Sequence, residues 1–303
     1  MVLVTLFCAG GASCPRRQDP TPVAFAGPPT LQEVIHSVNA NSNGVRQLQA
    51  TGATISVHGI PALRADLVLE RPRRLRVRAE LMMGLGGTQV DLGSNDEVFW
   101  VRGVPGLPPG VYFARHDQFS RSAARQFLPV EPLWLIEALG VVYLDPNGHH
   151  EGPFSEGAGR TWIRTRIPSD QGELTKITVV HDTYGWILEQ HVYDWQGQLL
   201  ASARSSKHRY YPLEGVSLPD QVEIQLPPAQ VSFQISVSSY LINQLYGDPV
   251  QLWSLPQAEG SPLVNLADPG FRLPIQAPDA NYSPYADPRN GYRPRYRGYS
   301  ETR

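Results

Sequence analysis

Arg73-Arg74-Leu75-Arg76-Val77-Arg78-Ala79-Glu80-Leu81-Met82 is the stretch that decides the fold. Leu75, Val77, Ala79 and Leu81 alternate with Arg74, Arg76, Arg78 and Glu80. In a β-strand successive side chains point to opposite faces, so this period of two describes a strand with one apolar and one charged face. A sheet built that way buries one side and leaves the other wet, which is the habit of antiparallel sheets. Working outward, Leu48 to His58 and Leu63 to Glu70 read as strands across a turn at Gly59 to Pro61. Thr88 to Gly93, Glu97 to Arg102 and Tyr112 to Arg115 follow downstream. Six more strands are expected at Thr161 to Ile167, Leu174 to His181, Trp186 to Asp194, Leu199 to His208, Gln221 to Leu226 and Val231 to Val237, with Gly172, Gly185 and Gly197 at tight turns. The sum is about eleven or twelve strands, mainly β with a few helices, in one curved antiparallel sheet rather than a βαβ fold.

Three segments carry a helical period instead. Thr30 to Asn39 begins with Thr30 and Glu33 in capping-box spacing and sets Leu31, Val34, Ile35 and Val38 on one face. Gln118 to Gln126 is weakly helical. Glu131 to Leu139, with Pro132 in its first turn and Gly140 after it, is apolar on more than one side through Leu133, Trp134, Leu135, Ile136 and Leu139.

The chain has 303 residues, 26 basic against 28 acidic, so no global field attracts a polyanion. Its two cysteines, Cys8 and Cys14, both lie at the N-terminus, and the body is left with neither disulfides nor thiolate metal sites. The opening MVLVTLFCAGGASC has an apolar run, Val2 to Phe7, and small residues, Gly10 to Ser13, before Cys14. It resembles a bacterial lipobox, which makes Cys14 the lipid-attachment residue. Gly11 stands where leucine is usual, and the basic n-region is missing unless the true start lies upstream of Met1. An ordinary signal peptide and a cytosolic chain are the other readings. The division expected is 1–13 signal peptide, 14–29 Pro-rich spacer behind the anchor, 30–255 the β domain, and 256–303 a Pro/Tyr/Arg-rich disordered tail.

Glu70-Arg71-Pro72-Arg73-Arg74-Leu75-Arg76-Val77 resembles the "RP..(F/L)R" strand of the bacterial lipoprotein carriers LolA and LolB. Ser94-Asn95-Asp96-Glu97-Val98-Phe99-Trp100 resembles their "SDG..LW" turn and strand, with Asp96-Glu97 in place of Asp-Gly. The Leu31 to Val57 segment resembles their opening helix and first strand. The resemblance covers roughly residues 30–245 in element order. It implies a LolA/LolB-like half-barrel of about eleven antiparallel strands capped by helices, with an apolar concave face that holds acyl chains. Cys14 tips the chain towards the LolB side, which is itself a lipoprotein of the outer membrane. It also implies a membrane-contact loop at Met82, Met83 and Leu85, with Leu85 as the exposed leucine.

A bent sheet whose inner side chains do not fill the space beneath its helices leaves an apolar pocket. Leu67, Leu75, Val77, Phe99, Val101, Tyr112, Trp134, Ile136 and Leu139 are the candidate lining, each of which also reads as plain core. Hydrocarbon burial of ~0.8 kcal/mol per CH₂ would hold a chain of ~15 carbons by ~10 kcal/mol gross without polar chemistry. Arg74 and Arg76, in the basic run from Arg71 to Arg78, are read as headgroup contacts, as a lid in which arginine bonds helix carbonyls, or as a solvated strand face. His149-His150-Glu151 sits in a Gly/Pro-rich loop with no third metal ligand in view, and His181, His191 and His208 sit on strands. G-x-S-x-G, H-E-x-x-H, the P-loop and G-x-G-x-x-G are all missing.

The expected function is a membrane-anchored, non-enzymatic lipoprotein of the cell envelope, facing the periplasm from the outer membrane. It binds an acylated lipoprotein or lipid for transport or localisation, as a monomer, without cofactor, metal or nucleic acid. A lipid-responsive sensor or scaffold on the same fold, regulating a partner protein, is the first rival, and a hydrolase built on the scattered histidines the second.

Overall fold

The computed structural model describes residues 20–82, 88–103, 107–126, 128–256 and 260–271. Cys14, Met83 and Leu85 lie outside them. The chain opens with helix α1 (Leu31–Asn43) and then runs through β1 (Gln47–Val57), β2 (Leu63–Glu70), β3 (Arg74–Leu81), β4 (Thr88–Ser94), β5 (Val98–Arg102) and β6 (Val111–Arg115). Two 3-10 helices, His116–Arg121 and Ala123–Gln126, and helix α2 (Trp134–Ala138) come next. The second half holds β7 (His149–Gly157), β8 (Arg160–Ile167), β9 (Leu174–His181), β10 (Ile187–Tyr193), β11 (Leu199–Tyr211), β12 (Val216–Leu226), β13 (Val231–Ser236) and β14 (Leu241–Ile242). Helix α3 (Pro249–Trp253) and β15 (Leu263–Asn265) end it.

All the strands join one open sheet in the order β15-β6-β5-β4-β3-β2-β1-β13-β12-β11-β10-β9-β8-β7, with β14 paired to β1 beside that path. The pairs are antiparallel except β15 with β6. Strand number therefore exceeds the eleven or twelve expected, while the class, mainly β with one antiparallel sheet, stands. The sheet must bend. Ten strand spacings separate β6 from β9, which is about 48 Å in a flat sheet. Yet Ser120, five residues past the end of β6, donates its hydroxyl to Asp170 in the β8–β9 turn at 3.0 Å, and Gln171 there donates to the Ser120 carbonyl at 3.2 Å. Only a strongly curved sheet brings those places together.

The inner face carries the main apolar cluster, which runs from Leu48 on β1 through Phe99 and Tyr112 to Ala203, Ile224 and Ile235 on the far half. A second cluster joins Val34 and Val38 of α1 to Ile163, Val180 and Ile187. Thr30 accepts from the Glu33 amide at 3.3 Å while Glu33 accepts from the Thr30 amide at 2.7 Å, the capping box the spacing predicts. Buried Asn39 clamps the far side of α1 by bonding both the carbonyl and the amide of Leu144, at 2.7 and 2.8 Å. Gly44 ends the helix where a Cβ would sit 2.3 Å from Val216.

Several sequence expectations are corrected. Residues 118–126, expected to be weakly helical, are helical as two 3-10 pieces that start two residues earlier and are split by extended backbone at Ser122. The α-helix expected over 131–139 is confined to Trp134–Ala138. His149 to Glu151 belong to strand β7 and not to a loop; this edge strand carries Gly152, Pro153 and two register breaks, and so shows no alternation. β12 starts at Val216, five residues early, because Pro219 inside it reads as a strand breaker.

Candidate functional site

The antiparallel register lines up the predicted cavity residues. Ala50, Leu67, Val77, Leu92, Val101 and Tyr112 form one cross-strand row, each paired with the next. Leu48, Leu69, Leu75, Ser94, Phe99 and Ala114 form the adjacent row. Both rows face inward. Above them lie the two 3-10 helices, α2 and the residues that flank them, which add Phe119, Leu128, Trp134, Ile136 and Leu139 to the same cluster. Phe119 meets Phe99 edge-on, with centroids 5.3 Å apart at 77°. Of the nine predicted lining residues eight are buried and Val77 is half-buried, and all nine pack in one cluster.

Short polar ties fasten the cover to the sheet. The buried Lys176 ammonium donates to the Glu137 carboxylate of α2 at 2.6 Å. Gln190 Nε2 donates to the Glu137 carbonyl at 2.8 Å. The Ala123 amide donates to the Leu266 carbonyl just beyond β15 at 3.0 Å.

The opposite, outer face holds the arginines. Arg76 pairs with Gly93 and so lies opposite Val77. Its guanidinium grips Asp91 bidentately, Nε to Oδ1 at 3.1 Å and Nη2 to Oδ2 at 2.7 Å, and donates to the Gln251 and Leu252 carbonyls of α3 at 2.5 and 3.1 Å. Its side chain is only 5% exposed. Trp100 lies flat across Gly93, where a Cβ would come within 2.2 Å of the ring, and Trp100 Nε1 donates to Asp91 at 3.3 Å. The helix carbonyls that Arg76 bonds therefore seal the outer surface, not the concave one. Arg74 is more open and pairs with Asp96 and Glu70. Met82, at the end of β3, is 63% exposed.

The three strand histidines divide. His191 accepts or donates between Ser202 Oγ (3.0 Å) and Glu189 Oε2 (2.9 Å), and Glu189 also binds Arg160 at 2.7 Å. Burial would raise the Glu189 carboxyl, but the His191 and Arg160 hydrogen bonds outweigh it and hold it at about 2. This carboxylate–imidazole–hydroxyl chain has the order of a serine nucleophile's relay. However, the His191 side chain is 3% exposed and Ser202 is equally buried, so no substrate reaches the hydroxyl and the chain serves to bind β10 to β11. His150 bonds Thr165 and the Asp145 carbonyl, and no cluster of three metal-ligating side chains exists among the described residues.

His208 and His181 instead gather around Trp186. Trp186 is stacked between Tyr184 (4.5 Å, 23°) and His208 (4.8 Å, 3°), with His181 edge-on at 5.4 Å. This column borders a cavity of about 210 Å³ between α1, the segment 21–24 and the β10–β12 region. Sequence reasoning missed it; the Tyr184-Gly185-Trp186 triplet at a turn was its one local signal. Burial pushes the His208 imidazole down to about 4, against partial support from the Ile187 carbonyl. In the unfolded chain it titrates near 6.5. As pH falls from 6.5 towards 4 only the unfolded state gains this proton, so stability is lost across that window, by about 3 kcal/mol in all. A His208→Gln variant should therefore show a smaller drop in urea midpoint between pH 7 and pH 4.5 than the native chain, and an equal drop would remove His208 from the acid response.

No protein-family model and no curated protein matches this chain. Among solved structures it is similar to a LolA superfamily protein from Nitrosomonas europaea, at 11% identity over 75% of this chain and 98% of that one, with a TM-score of 0.46. It is similar also to an outer membrane lipoprotein-sorting protein domain from Vibrio parahaemolyticus, at 14% identity over 72% and 94% of the two chains, TM-score 0.48. A DUF1329 family protein from Desulfovibrio piger stands at 12% identity over 74% and 97%, TM-score 0.48.

Proposed function

We propose that this chain is a lipid-anchored protein of the cell envelope that binds the acyl chains of a lipid or lipoprotein between its curved sheet and the helices over it, for transport or localisation and without chemistry of its own. The observation that supports the reading is the kind of cover the apolar rows have. Its three helical pieces are six, four and five residues long. Helices that short have almost no stability of their own in water and persist only through what they pack against. The sheet, by contrast, is held by strand-to-strand hydrogen bonds that do not involve the cover. Hydrocarbon could thus take the place of Trp134, Ile136 and Leu139 over the rows at little net change in buried apolar area, while the sheet stays whole.

Cys14 as the lipidated residue, a site at the outer membrane, a monomeric state, and Met82, Met83 and Leu85 as the membrane contact belong to this proposal. Among the described residues no helix is long and apolar enough to cross a membrane. The test is native mass spectrometry of the full chain, isolated from its host's envelope without detergent, followed by titration with a fluorescent long-chain fatty acid. A bound acyl species that leaves on denaturation, and displacement of the probe by palmitate, are expected. A lipid-free protein that takes up no probe overturns the reading.

A further inference from the structure

We infer that the cavity beside Trp186 is a binding site for a neutral, hydroxylated six-membered ring, a single sugar unit, separate from the acyl-binding space and independent of it. Size comes first. At about 210 Å³ it exceeds the roughly 150 Å³ that suffices for benzene, so one substituted ring fits and a second does not.

Charge comes next. Among the described residues no Asp, Glu, Lys or Arg lines the cavity. Burial keeps His208 neutral at physiological pH. A charged ligand would lose water and find no counter-charge, at a cost of several kcal/mol. The occupant is therefore neutral.

The hydrogen-bonding groups narrow it further. Tyr184 and His208 stack on the Trp186 ring. His208 donates Nε2–H to the Ile187 carbonyl at 3.0 Å, which fixes its ring beside the cavity. Thr21, Ser37 and Ser217 set hydroxyl-bearing side chains in the wall, and a hydroxyl, which accepts and donates at once, suits a ligand's own hydroxyls. Tyr184, Tyr210, Pro22 and Pro219 give the wall the flat C–H-rich surface on which a sugar's apolar face packs.

The walls are preset. The segment over the cavity is pinned by the Ala24 and Phe25 amides, which donate to the Thr183 carbonyl at 2.8 and 3.1 Å, and by buried Phe25. Gly185, at φ 67°, lets α1 close in: a Cβ there would sit 2.5 Å from Ser37 Oγ.

Saturation-transfer NMR on the full chain with methyl β-glucoside and N-acetylglucosamine tests this, with glucuronate, glucosamine and toluene as controls. We expect transfer to the neutral sugars and none to the charged ones. Ala40 lines the cavity yet is exposed on α1, so Ala40→Phe fills the site without touching the core. It should weaken sugar binding at least tenfold. Equal binding by the Ala40→Phe variant, preference for toluene or a charged sugar, or no transfer to any sugar overturns the proposal. None of these outcomes bears on acyl uptake, so the two readings fail separately.

Discussion

Replacing Asp91 with alanine should lower the unfolding free energy by about 3–5 kcal/mol, among the largest effects available to one substitution in this chain. Asp91 and Arg76 are each 4% exposed and meet through two hydrogen bonds on the outer face of β3 and β4. Removing the carboxylate leaves a guanidinium out of water with only the α3 carbonyls to accept from it, and orphans the Trp100 indole N–H as well. Removing both charges is a different experiment. The double variant Arg76→Met, Asp91→Leu fills the same space with hydrocarbon and should cost far less, since the desolvation of both ions disappears together. Urea unfolding followed by tryptophan fluorescence measures this through the midpoint at constant slope. A single variant within 1 kcal/mol of the native chain would mean that water reaches Arg76 and that α3 does not seal it.

That same pair shows where a period-two reading stops. The alternation from Arg74 to Leu81 places β3 and its faces, and with the turn glycines it leads to β2, β4 and β5. It cannot show that Arg76 is buried while Arg74 and Arg78 are open, because burial comes from α3, which starts 173 residues after Arg76. The elements that escaped notice share one property. β7 is an edge strand with Gly152 and Pro153 in it, β15 has three residues, and α3 has five. Such elements are held by neighbours and not by their own pattern, so no local signal precedes the contact.

The two sites differ in legibility for a related reason. The apolar rows follow from the register of consecutive hairpins, so Leu67, Val77, Val101 and Tyr112 fall together once each strand is found. The cavity beside Trp186 draws on residues near positions 21, 37, 140, 186, 208 and 217, from strap, helix, loop and three strands. Its chemistry depends on which rings stack after folding. His208 on a strand is unremarkable until Trp186 lies 4.8 Å away and parallel to it.

Glu137 separates a cover that opens from one that merely packs. Glu137→Ala should reduce stability by about 3 kcal/mol, the low end for a broken buried pair because the carboxylate is 26% exposed. Lys176 bears the loss: its side chain is 5% exposed, and without Glu137 its ammonium is buried unpaired. The Glu137 carbonyl still accepts from Gln190, so α2 keeps one tie to the sheet, and the sheet keeps its full complement of strand pairs. The penalty falls on the closed state, in which Lys176 is covered, and is relieved when α2 lifts and water reaches the ammonium. Each 1.4 kcal/mol lost by the closed state alone raises the open fraction tenfold. If acyl chains enter beneath α2, stopped-flow uptake of a fluorescent fatty acid should therefore quicken by tenfold or more in Glu137→Ala, and return towards the native rate when Lys176→Met removes the stranded charge as well. A variant that loses stability yet takes up the probe at the native rate would show that α2 is not the gate, and entry beneath it would have to be abandoned.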